Sequence, residues 1–120
     1  MKPNIKVKAS GVEYTDKLAV LVEKKIMQLV KLLPRSASDA VYEVELSKAT
    51  KHHKSGKIYR AEINISYGSI LHRAEDVAET LEIAIEIVKD ELKTELSKTR
   101  GMKKEAARKG GRALKSMIRE

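Results

Sequence analysis

The amino-acid sequence predicts a two-layer α+β domain in which two helices cover one face of a four-stranded sheet. Four segments alternate apolar and polar residues, two longer segments repeat apolar residues every three or four positions, and together they follow the order β-α-β-β-β-α. A helix between the first two strands favours a parallel, right-handed β-α-β unit, whereas the short later connections favour hairpins. Because each strand has one apolar face, both helices are expected on the same side of the sheet.

The strands are predicted from their period-two pattern. The fourth is expected from about Ile70 to Asp76, after a turn at Tyr67-Gly68-Ser69, and TKHHKSGK forms a basic hairpin connection before the third. The inward positions of the other three are Ile5, Val7 and Ala9, then Tyr42, Val44 and Leu46, then Tyr59, Ala61, Ile63 and Ile65.

Each predicted helix starts at a threonine that can cap its first turn. The first follows Thr15, keeps its apolar repeat to Leu33 and stops at Pro34, after which RSASDA is expected to be a polar loop. The second follows Thr80 and runs to about Thr99, with Ile83 and Ile87 widening its apolar arc. Glycines at 101, 110 and 111 are expected to interrupt any continuation, which leaves a flexible tail.

The net charge of +8 is concentrated at the C-terminal end of this 120-residue chain. Residues 1–97 carry 16 Lys/Arg and 15 Asp/Glu, whereas residues 98–120 carry 9 Lys/Arg and 2 Glu. We therefore expect a folded domain at 1–100 and a basic tail at 101–120. Such a tail is typical of binding to a polyanion, although a merely solubilising tail would have the same composition.

Several classes of function are disfavoured by what the sequence contains. The chain has no Cys, no Gly-rich phosphate loop before a helix and no Ser-His-Asp arrangement in a recognisable context, so neither an enzyme nor a bound cofactor is expected. His52 and His53 are adjacent on a loop and lack a third ligand, and His72 is expected to pack or hydrogen-bond, so no metal site is predicted. No apolar run suits a signal peptide or a membrane span, which favours the cytoplasm.

Cations on the helices, the basic hairpin and the tail are the candidate RNA contacts. Lys17, Lys24 and Lys31 recur every seven residues opposite the apolar face of the first helix, a pattern that an ordinary solvated surface also shows. The sheet face is a poorer candidate, because Lys6 and Lys8 are expected beside Glu43 and Glu45 and no strand offers aromatic residues for stacking. The remaining candidates are Lys25, Lys51, His52, His53, Lys54, Lys89, Lys93, Lys98, Arg100, Lys103, Lys104, Arg108, Lys109 and Arg112.

Two long segments carry a resemblance to a known family. They read IKVKASGVEYTDKLAVLVEKKIMQLVKLL and HRAEDVAETLEIAIEIVKDELKTEL, the latter with a basic continuation. Over about residues 4–100 the chain resembles the ribosome hibernation promoting factor family in its short form, also called ribosome-associated inhibitor or protein Y. The most specific part is Arg73-Ala74-Glu75 followed by a helix that contains Ala84-Ile85-Glu86.

The resemblance implies a fold similar to double-stranded-RNA-binding domains and an inhibitor of translation under stress or in stationary phase. Its partner would be the small ribosomal subunit, bound through ribosomal RNA in the channel of messenger and transfer RNAs, with no membrane or small-molecule substrate involved. The positions that match the family's RNA-contacting residues are Lys24, Lys25 and Lys31 on the first helix and Lys89, Lys93 and Lys98 on the second.

The sequence also departs from the family pattern. The loop Thr50–Lys57 is longer than usual, Ala78 replaces a common Gly, and the chain is expected to lack the C-terminal domain that pairs ribosomes in long members. Whether single ribosomes are blocked or dimerised with another factor therefore stays open. The alternative functions are a general RNA-binding or ribosome-assembly protein and, with sparser support from apolar residues in the tail, a membrane-surface protein.

Overall fold

In the computed structural model, the elements follow the predicted order and form one mixed sheet with two helices. The structure describes residues 3–49 and 58–109, with side chains described as far as Lys98. The predicted hairpin at 50–57 and the glycines at 110 and 111 lie outside these residues. The elements are β1 (Asn4–Ser10), α1 (Asp16–Val30), a 3-10 helix (Arg35–Ala37), β2 (Val41–Lys48), β3 (Tyr59–Tyr67), β4 (Ile70–Ala78) and α2 (Leu81–Lys109).

Sheet topology and register confirm the predicted architecture. The strand order is β1-β2-β3-β4, with β1 parallel to β2 and the two later pairs antiparallel. Val7 lies opposite Val44, which lies opposite Ile63, so the apolar sides of neighbouring strands coincide. These residues face the helices. A slip of one residue between neighbouring strands would turn the apolar side chains of one strand to solvent, so the register is strongly specified.

The core between the two layers is aliphatic. Fully buried side chains come from α1, from the central strands and from α2, and Tyr42 is buried among them. Burial of one such Leu or Ile contributes about 1.5–3 kcal/mol relative to exposure. The largest fully buried side chains are Ile26, Leu29, Val44, Leu46, Ile63, Ile65, Ile85, Val88 and Leu92. Ile83, which the sequence placed in the apolar arc of α2, is 48% exposed instead.

Both threonine caps are confirmed. The Thr15 Oγ1 accepts a hydrogen bond from the Leu18 N–H at 3.2 Å, and the Thr80 Oγ1 accepts one from the Ile83 N–H at 3.1 Å. Each satisfies an N–H that the first turn leaves without a helical partner. The capping threonines thus fix where α1 and α2 begin, which sets the positions of the lysines that follow along each helix.

The end of α1 differs from the prediction by three residues. The helix stops at Val30, and the N–H groups of Leu32 and Leu33 donate to Leu29 and Val30 carbonyls in a tighter turn. Pro34 disfavours the helical conformation at the residue before it, which explains the early exit. RSASDA is likewise more than a polar loop, because it holds a 3-10 helix and buries Ala37 and Ala40.

The prediction that Gly101 interrupts the second helix was wrong. α2 continues through Gly101 to Lys109, giving 29 residues. One glycine inside a helix costs only about 1 kcal/mol relative to Ala, and the Lys, Glu and Ala residues around it favour a helix. The described part of the basic segment is thus helical as far as Lys109.

Candidate nucleic-acid interface

The outward face of the sheet is electrically neutral. Residues that point away from the helices include four cations and four carboxylates: Lys6, Lys8, Arg60 and Arg73, with Glu43, Glu45, Glu62 and Glu75. Lys6 and Lys8 lie opposite Glu43 and Glu45 in the parallel register, as the sequence predicted. A phosphate that approached this face would meet as many negative groups as positive ones.

Arg60 is the centre of an ion network on that face. Its guanidinium lies 3.0 Å from Glu45, 2.6 Å from Glu62 and 2.8 Å from Glu75, while Arg73 Nε lies 2.6 Å from Glu62. Although burial acts to raise the pKa of Glu62, hydrogen bonds from Arg60 and Asn64 outweigh it and lower that pKa. Arg60 and Arg73 are thus already paired with carboxylates, which leaves them little affinity for a phosphate.

The exposed side of α1 has a different character. Lys17 and Lys24 are exposed there, and Lys31 is exposed at the helix end. Val20 and Met27 lie in the same row and are also exposed. The predicted lysine stripe is therefore on the surface, as its seven-residue spacing required. Such a row can follow successive phosphates of a nucleic-acid strand.

Two of the candidate RNA-binding lysines join the helices to each other. Lys25 Nζ on α1 lies 2.5 Å from the Glu86 carboxylate on α2, and Lys89 Nζ lies 3.1 Å from the same carboxylate and 2.5 Å from Asp90. Lys89 is only 5% exposed. The hydrogen bond to Asp90 raises the pKa of Lys89 against the opposing effect of burial, so the side chain stays cationic. Both lysines are engaged within the protein, and RNA contact by them stays a prediction.

A shallow groove separates the exposed sides of the helices. It has a volume of about 360 Å³ and is lined mainly by apolar atoms. Lys17, Lys24 and Lys25 border it from α1, and Glu82 and Glu86 border it from α2. Positive charge is therefore concentrated on the α1 side of the groove, while the first turns of α2 are acidic.

Along α2 the charge changes from acidic to basic towards the C-terminus. Lys93 and Lys98 are exposed, and Leu96 is the last buried residue among those whose side chains are described. The thirteen residues from 97 to 109 extend the helix by about 20 Å. Five further candidate cations lie on this stretch of backbone: Arg100, Lys103, Lys104, Arg108 and Lys109. The candidates Lys51, His52, His53, Lys54 and Arg112 lie outside the described residues.

His72 packs and hydrogen-bonds, as the sequence predicted. Its Nδ1 lies 2.5 Å from Glu95 Oε2, and its Nε2 lies 3.5 Å from the Tyr67 hydroxyl. Within residues 3–49 and 58–98, no three side chains of the His, Cys, Asp or Glu types are grouped to hold a metal ion. In the same part of the chain, neither helix has the length and apolar character that a membrane span requires.

Sequence reasoning missed a carboxylate pair on the helical side of β4. Asp76 points inward and contacts Glu91 on α2. Partial burial, followed by the proximity of Asp76, raises the pKa of Glu91. Glu95 contacts His72 on β4, and Glu91 lies one helical turn before Glu95, so this side of α2 faces β4. The sequence does not show which residues of β4 and α2 lie beside each other, and the pair could not be predicted without that information.

Comparison with known proteins gives a matching family and a set of similar solved structures that includes the two below. Residues 5–104 match the model of the family described as Sigma 54 modulation protein / S30EA ribosomal protein. The crystal structure of the Thermus thermophilus Protein Y N-terminal domain has a TM-score of 0.65 and 28% identity, covering 82% of this chain and 99% of that chain. A ribosomal subunit interface protein from Coxiella burnetii has a TM-score of 0.63 and covers 82% of this chain and 98% of its own; at 18% identity it supports the fold alone.

None of the curated proteins matches this sequence significantly. The family match nevertheless spans far more than half of the chain, and the β-α-β-β-β-α fold with its parallel first pair agrees with it. The chain therefore belongs to the family of Sigma 54 modulation protein / S30EA ribosomal proteins, which confirms the resemblance to ribosome hibernation promoting factors.

Proposed function

We propose that this protein binds the small ribosomal subunit through its ribosomal RNA, occupies the channel of messenger and transfer RNAs, and inhibits translation under stress or in stationary phase. It acts in the cytoplasm as a binding protein, without catalysis or a cofactor. Membership of the family and the similarity to a Protein Y domain support this proposal. The residues that would contact RNA are the candidate cations of α1, of the 50–57 segment, of α2 from Lys89 onward, and Arg112.

One observation carries the proposal: cations are grouped on α1 and towards the C-terminal end of α2, whereas those of the sheet face lie beside carboxylates. The outward sheet face has equal numbers of cations and carboxylates, with Arg60 and Arg73 held in ion pairs. The helical layer offers Lys17 and Lys24 on α1, and Lys93 and Lys98 lead into the basic segment of α2. Since phosphate contacts supply most of the affinity for nucleic acids, we infer that the helical layer faces the ribosomal RNA.

The proposed inhibition is steric. A domain that lies in the channel on its helical layer would exclude the RNA ligands that normally occupy it. No bond has to be made or broken, so the affinity for the subunit and the position of the domain determine the inhibition. The helical extension of α2 to Lys109 would add positive charge beyond the folded layers, where it can follow the RNA backbone.

Co-sedimentation with purified ribosomal subunits tests this function. We expect binding to the small subunit, weakening steeply as salt rises, and competition with initiator transfer RNA. Inhibition of cell-free translation should follow occupancy. Equal binding to both subunits and to unrelated RNA, without competition, would favour the alternative of a general RNA-binding or assembly protein. Binding that is unchanged by salt would contradict the electrostatic basis of the proposal.

A further inference from the structure

The free edge of β4 has no Pro, Lys or β-bulge, three of the features that keep an edge strand from pairing. In the order β1-β2-β3-β4, both β1 and β4 are edge strands. β1 follows Pro3 and carries Lys6 and Lys8, and both residue types discourage pairing at an edge. β4 has nine residues, pairs with β3 without a bulge and contains neither Pro nor Lys. Ile70 and Leu71 on it are 44% and 62% exposed.

The turn before β4 determines which of its backbone groups face outward. Tyr67 and Ile70 flank the two-residue loop Gly68-Ser69, in which Gly68 has a φ of +57°. In such a hairpin the flanking residues form the closing hydrogen-bonded pair. Even-numbered residues of β4 therefore bond to β3, and the odd-numbered residues direct their N–H and C=O groups outward. The Val77 N–H agrees with this, because it donates to the Asp76 side chain at 2.8 Å, a bond that pairing with a second copy would replace.

We propose that a second copy of this chain pairs antiparallel with β4 about a two-fold axis at Ala74. The sheet would then continue from one copy into the next. In this register Arg73 lies opposite Glu75 of the second copy, and the symmetry repeats that pair on the other side of the axis. Leu71 lies opposite Val77 of the second copy in the same way. All four outward-bonding residues of β4 thus gain a partner of complementary chemistry.

Alternative registers are less favourable. A slip of one residue places outward-bonding residues opposite residues whose N–H groups face β3, so the hydrogen bonds between copies cannot form. A slip of two residues restores the bonds, but places either Arg73 opposite Arg73 or Glu75 opposite Glu75 on the axis. Like charges directly opposite each other destabilise a strand pair. Only the register centred on Ala74 combines hydrogen bonding, opposite charges and an apolar contact.

The side chains involved can reach a second copy. Arg73 and Glu75 point away from the helices, and about half of each side chain is exposed. Arg73 already contacts Glu62 through Nε and Glu75 of its own chain at 3.3 Å through Nη2, but a guanidinium has five donors and can bind a further carboxylate. On the helical side, Glu91 and Glu95 lie next to β4 and would repel the same two residues of the second copy. With an interface of only one strand pair, we expect weak, concentration-dependent association.

Sedimentation velocity of the full chain, treated with nuclease to exclude bridging by RNA, tests the pairing. We expect dimers to increase with concentration up to about 1 mM, a range that detects even very weak complexes. Arg73→Glu and Glu75→Arg should each weaken self-association at least about tenfold, because each change turns two attractive cross-strand pairs into repulsive ones. Lys8→Glu on β1, with the same charge change as Arg73→Glu, should leave it unchanged.

Mixing the two variants gives the decisive result. An equimolar mixture of the Arg73→Glu and Glu75→Arg chains should form heterodimers, since opposite charges then meet only between unlike copies. A chain with both changes should self-associate again. If Arg73→Glu lowers the melting temperature by removing the ion pair with Glu62, Leu71→Lys serves as the second disruptive variant, because Leu71 takes no part in the ion network. A wild-type chain that stays monomeric, or a mixture that associates no more than its components, would overturn the proposal.

Discussion

The Lys25 ammonium on α1 and the Glu86 carboxylate on α2 lie 2.5 Å apart and connect the two helices on their exposed side. Lys89 joins the same carboxylate from within α2. Hydrogen bonds from Lys25, then from Lys89, lower the pKa of Glu86 against a smaller opposing effect of burial. An acid whose pKa is lower in the folded state stabilises the fold above its unfolded pKa, and this contribution disappears as pH falls through the folded value.

Replacing Glu86 with Gln should therefore destabilise the protein near neutral pH. We expect a loss of about 0.5–1 kcal/mol, because the side chain is partly exposed and solvent weakens the pair. The loss should shrink as the pH falls through the lowered pKa of Glu86, because the wild-type carboxylate then becomes neutral as well. Urea unfolding at several pH values measures both effects. Glu23→Gln, an exposed change on α1, is the control, and an equal loss there would contradict a specific link between the helices.

Replacing Glu91 with Gln should have the opposite effect. Burial and the neighbouring Asp76 raise the pKa of Glu91, so the ionised form is less favourable in the folded state than in the unfolded chain. That penalty is present above the folded pKa and vanishes below the unfolded one. The neutral side chain should thus raise the free energy of unfolding near neutral pH and change little in acid. Thermal unfolding across this pH range tests it, with exposed Glu79→Gln as control; destabilisation at neutral pH would refute it.

The fold could be predicted because its strands and helices have clear periodicity. Alternation in β2, for example, specified the buried side of Tyr42, Val44 and Leu46 without ambiguity. The predicted helix ends were wrong, because effects of only about 1 kcal/mol determine where a helix ends. Gly101 is tolerated inside α2 because its neighbours favour a helix, while α1 ends early because of Pro34.

The candidate interface could be predicted only in part, because the positions of the helices relative to each other decide which cations are available. Lys24 and Lys25 are adjacent in sequence, yet Lys24 is exposed and Lys25 meets Glu86 on the other helix. Lys89 belongs to the buried side of α2, where Asp90 and Glu86 neutralise it. The periodicity of a helix shows which side of that helix a residue occupies, but it does not show which charged residue of another element lies nearby.

Charge reversal on α1 should separate the helical layer from the sheet as the RNA-binding surface. The double change Lys17→Glu and Lys24→Glu should weaken binding to the small ribosomal subunit by about tenfold or more and reduce its salt dependence. Both side chains are exposed, so the melting temperature should change little. The matched control is Lys6→Glu with Lys8→Glu, which makes the same charge change on the sheet face. Equal losses in co-sedimentation from both pairs would show that net charge, and not the α1 surface, governs binding.

Truncation of the basic segment should lower ribosome affinity without unfolding the domain. Removing residues 101–120 deletes seven Lys/Arg and two Glu, which takes the net charge from +8 to +3. Leu96 is the last residue of α2 that is described as buried, so the melting temperature should barely change. The plot of log affinity against log salt should become less steep, by about 0.7–0.9 for each phosphate that the shortened chain no longer neutralises.

A second, shorter truncation distinguishes the helical part of the segment from the rest. Removing residues 110–120 deletes only Arg112, Lys115, Arg119 and Glu120 among the charged residues and leaves α2 intact to Lys109. If the extension of α2 follows the RNA backbone, this chain should keep most of the affinity and salt dependence that the longer truncation removes. Equal losses from both truncations would assign the contribution of this segment to residues 110–120.

The longer truncation has two further outcomes. If the chain unfolds after removal of residues 101–120, part of this segment belongs to the core, which would agree with a family match that continues to residue 104. If removal of residues 101–120 changes neither the affinity, nor its salt dependence, nor the inhibition of cell-free translation, the segment only increases solubility.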